Sequence, residues 1–422
     1  MRQSRLVRVK KDIWWLKQKS KVITFYILLF LLPSQLALHF WSQFSFVFGI
    51  RVDYLSVAIY LTDILIFGLV FADIKSIIKY LWIKRWLAVF FLGLAIVNTV
   101  HSTTPVLSLI KWIHTLLLFL FAVYVSINRK SFDTLKIEKV LYFSLILISL
   151  VGIYQFFLGH TVGGILYYLG ERNFSSQTPG IALFNIFGRE VLRSYSTFSH
   201  PNSFAGFLGA VGTFLLFGKN LKKFPLVFLG ASIVLFALII TFSFSALISL
   251  IFVGAVYLFE KRIKLKEKYY VWFLIILFSV SISQFFVPQK LISTRDFSWD
   301  KIDQRLDLAY VSGKMVSERF WVGEGFNAFI SNLPRFKTPS GYIWFLQPVH
   351  NIYLLLFSEL GILGLVIFFI FISYGVLKLV RSNNRQVLYP ILFILTSGLF
   401  DHYWLTLQQN VILMFLFFSY FI

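Results

Sequence analysis

The 422-residue chain has no cysteine, which excludes disulfide staples and thiolate metal sites. Charge is scarce as well: 14% of residues are Asp, Glu, Lys or Arg, and only 18 are acidic. A soluble domain of this length needs more polar surface than that. Nucleotide signatures are missing. Without a Walker A loop, ATP does not drive the protein from a site on this chain, and Gly323-Glu324-Gly325 is not a dinucleotide fingerprint. No His-Glu-x-x-His helix occurs and the His and acid spacing offers no strong metal site, so neither metal nor cofactor is expected. Internal repeats and inverted symmetry, the usual mark of secondary transporters, are not visible.

What fills the chain is apolar: 58% hydrophobic residues, 51 Phe and a mean hydropathy of +0.78. The expected class is all-α, a polytopic transmembrane helical bundle. Twelve apolar runs begin near residues 22, 54, 86, 106, 139, 201, 224, 243, 269, 350, 386 and 403, giving about twelve spans. The basic N-terminus, "MRQSRLVRVKKDIWWLKQKSK", leads into the first run without a small-residue cleavage site, so it reads as a retained helix with its basic end in the cytoplasm. Counted from there, the segments on that side hold 27 of the 40 Lys and Arg residues but six acidic ones. Nearly all of the +22 net charge thus lies on one membrane rim, which suits anionic lipid and removes the case for nucleic acid.

The expected organisation is an N-terminal bundle over 1–287 with an outer loop at 159–200, an extracytoplasmic loop over 288–349, and C-terminal spans over 350–422. In the second loop, Ile302, Leu306, Ala309 and Val316 fall near helical spacing and predict a short helix lying on the membrane surface. Gly323 and Gly325 mark a turn.

Twelve of the thirteen remaining basic residues lie in outer segments, Arg193, Arg305 and Arg319 among them. Guanidinium grips phosphate oxygens bidentately, so such arginines suit a lipid phosphate or pyrophosphate; the plainer role is pairing with neighbouring carboxylates. His200-Pro201-Asn202 opens one run, either as capping chemistry or as part of a site. His350-Asn351 opens another, behind the stiffening Pro348. A neutral imidazole there can take a proton from a sugar hydroxyl, or can simply be a wet interfacial side chain. Asp63, Lys111 and Glu359 fall inside apolar runs, where charge is costly. Lys111 can snorkel, and Glu359, eight residues after Asn351 on the same helix face, serves either catalysis or a polar clasp between helices. These buried charges also keep a transporter or flippase in view.

Four segments then carry a resemblance. "RSYSTFSHPNSFAGFL" (193–208), "RLDLAYVSGKMVSERFWVGEGFNAF" (305–329), "HNIYLLLFSELGILGL" (350–365) and "SGLFDHYWLTLQQN" (397–410) resemble, in order, motifs of bacterial O-antigen ligase and polymerase-like membrane glycosyltransferases. The resemblance implies a GT-C-like bundle in the bacterial inner membrane. It implies transfer of a glycan from an undecaprenyl-pyrophosphate-linked donor to an acceptor hydroxyl, of a glycan or of a lipid A-core-like molecule, inverting and without metal. It assigns His350 as base or acceptor-positioning residue and Arg193 and Arg305 to the pyrophosphate, with Arg319 third and His200, Asn202, Asn351, Glu359 and Asp401 in support. One departure stands out: where many members carry an arginine in a "T.SR.A" segment, "TFSFSA" (241–246) has Phe244.

Overall fold

The computed structural model describes residues 18–218, 227–263, 267–283, 300–338 and 341–422. The basic N-terminal segment and residues 284–299 of the large loop lie outside them.

Every expected apolar run carries a helix. In chain order these are α1 (18–31), α2 (Leu61–Ala72), α3 (Ile74–Ile83), α4 (Arg85–Val100), α5 (Pro105–Asn128), α6 (Thr134–Leu158), α7 (Pro201–Leu216), α8 (Val227–Ile239), α9 (Phe244–Ile263), α10 (Glu267–Ser283), α11 (Asp300–Glu318), α12 (Ile352–Arg381), α13 (Arg385–Ser397) and α14 (Gln408–Phe418). α3 occupies a stretch expected to be a connector, and it meets Ala88–Val100 of α4 at a 94° bend. A bilayer core needs about 20 apolar residues of helix. Among the described residues four helices meet that requirement by length and composition, α5, α6, α9 and α12, or five if the bent α3–α4 pair is one span. The described residues thus form a largely helical bundle with four or five helices long enough to be spans and shorter apolar helices around them, which leaves the expected count of about twelve untested. α7 sits at its centre, buried along nearly its whole length and packed against α8, α9 and α13.

Small antiparallel hairpins decorate one end of this bundle. β1 (Ala37–Phe40) pairs with β2 (Val57–Tyr60), Ala37 opposite Tyr60. β3 (Leu183–Ile186) pairs with β4 (Arg189–Leu192), Leu183 opposite Leu192. Because β2 runs directly into α2, Asp63 is not deep within a run. It occupies the first turn of α2 and accepts the Tyr60 amide at 3.1 Å, a capping box that satisfies a free helix N–H.

The helix expected in the large loop is present. α11 forms where periodicity placed it, although the side chain of Ile302 lies outside the described residues. Its buried face is Leu308, Val311, Ser312, Met315 and Val316, and it packs on α12. Ser312 and Ser358 face each other there at 2.6 Å. Small hydroxyls at the contact let the two backbones approach, as is usual between membrane helices.

The "SELGILG" stretch marks a break in α12. Gly361 adopts φ 65° and ψ −171° there, a conformation costly to any residue with a Cβ. The Gly323–Gly325 turn docks into the opening. Glu324 donates its amide to the Ser358 carbonyl at 2.8 Å and Gly325 to the Glu359 carbonyl at 3.0 Å, while Ile362 donates to Phe320 at 2.8 Å. A Cβ on Gly361 would collide with the Trp321 carbonyl, and one on Gly323 with the Glu359 carbonyl. The broken helix thus recovers its backbone hydrogen bonds from the loop that follows α11.

Candidate active site

Three chain segments, each at a helix end, converge on one polar cluster. His200, in extended conformation (φ −149°, ψ 140°), caps α7 through its own ring: Nδ1 accepts the Asn202 amide at 3.2 Å. Asn351, also extended, caps α12, its Oδ1 accepting the amides of Tyr353 at 2.8 Å and Leu354 at 3.1 Å. Asp401 and His402 follow the end of α13, and the Ile352 amide binds the Gly398 carbonyl at 2.9 Å, which ties that end to the start of α12. Two helix N-termini therefore bring their positive dipole ends to the same region.

Since His200 itself does the capping, Asn202 is released for a different task. Its Nδ2 donates to Asp401 Oδ2 at 2.7 Å and its Oδ1 accepts from Arg193 Nη2 at 2.6 Å, so one amide links the arginine to the carboxylate. The other Asp401 oxygen accepts the His402 amide at 2.8 Å. The His402 ring stands edge-on to His350 at 5.2 Å between centroids and hydrogen-bonds Thr406 Oγ1 through Nδ1 at 2.8 Å. Phe345 stacks parallel to His350 at 6.2 Å. Among the described residues, His350 Nδ1 is buried with no hydrogen-bond partner. Such an atom is costly unless a ligand or a proton transfer gives it use.

Arg193 also donates Nε to the Thr241 carbonyl at 2.6 Å and Nη2 to that of Phe242 at 3.3 Å. A guanidinium thus stands against the very "TFSFSA" segment that lacks its own arginine, while Phe244 is 68% exposed. Arg305 is exposed on α11, and its charge acts on Asp401, His350, His200 and Arg193.

The electrostatics follow from this crowding. Burial, only partly opposed by Asp401, pushes the His350 and His200 rings down to about 3. Arg193 is lowered to about 10 by burial and remains charged. Burial alone would raise Asp401, but His402, His350 and His200 in their protonated form, with Arg305, outweigh it and keep the carboxyl below its usual range. At neutral pH the cluster therefore holds uncharged imidazoles, one carboxylate and two guanidiniums, an excess of positive charge.

His350, Asp401 and His402 present ligand atoms within 4.8 Å of one another, a spacing that would admit a metal ion and that their distance in sequence concealed. Two positive charges bear on the same group: Arg305 acts on Asp401 and His350, and Arg193 reaches Asp401 through Asn202, while both Asp401 oxygens already accept hydrogen bonds.

The other expected residues are engaged elsewhere. Arg319 pairs with the buried Glu324 at 3.4 Å and donates to the His101 carbonyl at 2.5 Å. The charges acting on His350 are those of Asp401, His402, Arg305 and His200. Glu359 Oε1 accepts the Phe329 amide at 3.2 Å and its carbonyl accepts from Asn98 at 2.8 Å; this is the helix clasp rather than a member of the cluster. Lys111 does not snorkel. It donates to the Leu405 carbonyl at 3.0 Å inside the bundle. Sequence reasoning missed His402, although it adjoins Asp401 in a quoted motif; only the acid was singled out. It also missed Tyr54, whose ring meets His402 edge-on at 5.4 Å. No motif marked that tyrosine.

A comparison with curated proteins finds no match. A comparison with protein families matches residues 229–369, α8 to the middle of α12, to the family model described as O-antigen ligase. That stretch contains Arg305, His350 and the Gly361 break, and ends before Asp401. Over this segment the chain is similar to the O-antigen ligase family.

Proposed function

We propose that the protein transfers a glycan from an undecaprenyl-pyrophosphate donor to an acceptor hydroxyl at the extracytoplasmic face of the bacterial inner membrane. The observation carrying this reading is the company His350 keeps. A neutral ring with an unpartnered nitrogen shares its cluster with two guanidiniums and a single carboxylate. The guanidiniums of Arg305 and Arg193 neutralise the pyrophosphate. The acceptor oxygen attacks the anomeric carbon, the bond from that carbon to the pyrophosphate oxygen breaks with its electron pair, and the hydroxyl proton passes to His350. Attack opposite the leaving group inverts the centre. A ring held neutral by burial is ready to accept that proton, and Asp401 with the incoming pyrophosphate supplies the negative charge that stabilises the imidazolium. Arg319, bound to Glu324, supports the loop that closes the α12 break.

A transporter reading loses its motivating groups, since Asp63 caps α2, Lys111 binds a backbone carbonyl and Glu359 joins the clasp. The test is His350→Ala in the native host, followed by envelope glycan on a gel and by the amount of membrane-inserted protein. Transfer should fall by about 10²–10⁴, the usual contribution of a positioned base, with insertion unchanged. Glycan identical to wild type would remove His350 from the mechanism.

A further inference from the structure

The transfer chemistry leaves one large feature unused. A cavity of about 610 Å³ lies between the β1–β2 hairpin, the loop around residues 167–181 and the segment before α14. Its size is within the roughly 300–1,000 Å³ of small-molecule sites. The wall mixes aromatic and polar groups, with Gln35, Tyr54, Arg172, Asn173, Gln347 and Thr406 among them. Gln35 Nε2 is buried and has no hydrogen-bond partner among the described residues. Arg172 is exposed and makes one long contact, to the Ser199 carbonyl at 3.4 Å. Tyrosine faces beside amides and a guanidinium suit sugar rings, which offer both C–H faces and hydroxyl edges.

The cavity adjoins the cluster from one side. His200 belongs to its wall, Thr406 on that wall hydrogen-bonds His402 Nδ1, and Tyr54 packs edge-on to the His402 ring. Thus His402 stands between the cavity and His350, whereas neither Arg193 nor Arg305 lines it. In an inverting displacement the incoming hydroxyl and the departing pyrophosphate oxygen lie on opposite sides of the anomeric carbon. If the guanidiniums hold the pyrophosphate, the hydroxyl must arrive from the imidazole side, where the cavity opens.

We propose that this cavity receives the saccharide end of the acceptor and delivers its hydroxyl past His402 to His350, an assignment that rests on the transferase reading. The experiment uses the full chain in nanodiscs, with N-acetylglucosamine and glucuronate as probes. Saturation-transfer NMR reads saccharide binding, and release of undecaprenyl pyrophosphate from the host's extracted lipid-linked glycan reads donor chemistry. Wild type should bind both sugars, and Asn173→Trp, which fills the mouth of the cavity, should weaken both by about tenfold or more. Arg172→Ala, a milder change in the same exposed loop, should weaken glucuronate more than N-acetylglucosamine. Sugar binding absent from wild type, or untouched in Asn173→Trp, overturns the proposal. Donor chemistry that disappears with Asn173→Trp in a monodisperse protein assigns the cavity to the donor and overturns it too. Wild type that binds sugar yet never releases undecaprenyl pyrophosphate instead defeats the transferase reading itself.

Discussion

Two groups of ionisable residues sit at helix ends of this bundle, and they are built differently. Around the α12 break the backbone groups and the Asn98 amide are answered within the protein, although one Glu324 carboxylate oxygen is buried without a partner among the described residues. Glu359 accepts the Phe329 amide, Asn98 donates to the carbonyls of Val322 and Glu359, and the Asn98 oxygen accepts from Trp112 and Phe326. Around His350 the account stays open. Its Nδ1 has no partner among the described residues, positive charge exceeds negative, and a 610 Å³ cavity abuts the neighbouring imidazole. Saturated polar networks fix a fold; open valences beside a cavity are what a ligand completes. The contrast separates Glu359 from His350, nine residues apart, where sequence alone held both as candidates.

The largest effect that should sharpen this contrast comes from Arg305. Removing one charge-assisted contact to pyrophosphate, worth roughly 1.5–3 kcal/mol, should cut kcat/KM for the lipid-linked donor about 10- to 150-fold in Arg305→Ala while leaving the melting temperature near wild type. Because Arg305 is exposed on α11, a large loss of stability in that variant would place it in the structural class instead. Glu359→Ala should behave in reverse. It leaves a buried amide unpaired at a cost of about 1–3 kcal/mol, seen as a lower thermal midpoint in detergent, with kcat per folded molecule retained. A collapse of kcat at unchanged stability would break the comparison.

Acid offers a third measurement. His350 and His200 are lowered to about 3 from 6.5 by burial. Between those values the unfolded chain binds protons that the folded one refuses, so stability falls as pH drops through that window. The thermal midpoint should decline from pH 6.5 downward, and the slope should be shallower in His350→Phe. An identical slope would show that the ring is not buried neutral. The smallest effect is expected from a chelator. EDTA should leave glycan transfer unchanged despite the His350, Asp401 and His402 spacing, and a metal-restorable loss would contradict the anion reading.

Much of this was legible in the sequence where local chemistry dominates. Apolar runs located every described long helix, Pro201 marked the start of α7, and Gly323 with Gly325 marked a real turn. The motif order pointed to the family whose model matches α8 to the middle of α12. What stayed hidden depends on contacts distant along the chain. Run length alone does not separate a span from a short packed helix: four or five described helices reach the length of a span, and the other apolar runs carry shorter ones. That α11 packs on α12 is a contact periodicity does not reveal. Asn202 reads locally as a cap, yet its partners are Arg193 and Asp401, the latter 199 residues away. His402 and Tyr54 come together only through the fold.

The central claim is that guanidiniums hold the pyrophosphate while the imidazole moves the proton. Binding of undecaprenyl pyrophosphate to wild type, Arg305→Ala and His350→Ala in nanodiscs, set beside glycan transfer by the same preparations, tests it most directly. Binding should weaken about 10- to 150-fold in Arg305→Ala and stay near wild type in His350→Ala, with transfer falling in both. Binding unweakened without Arg305, or lost with His350, would contradict it.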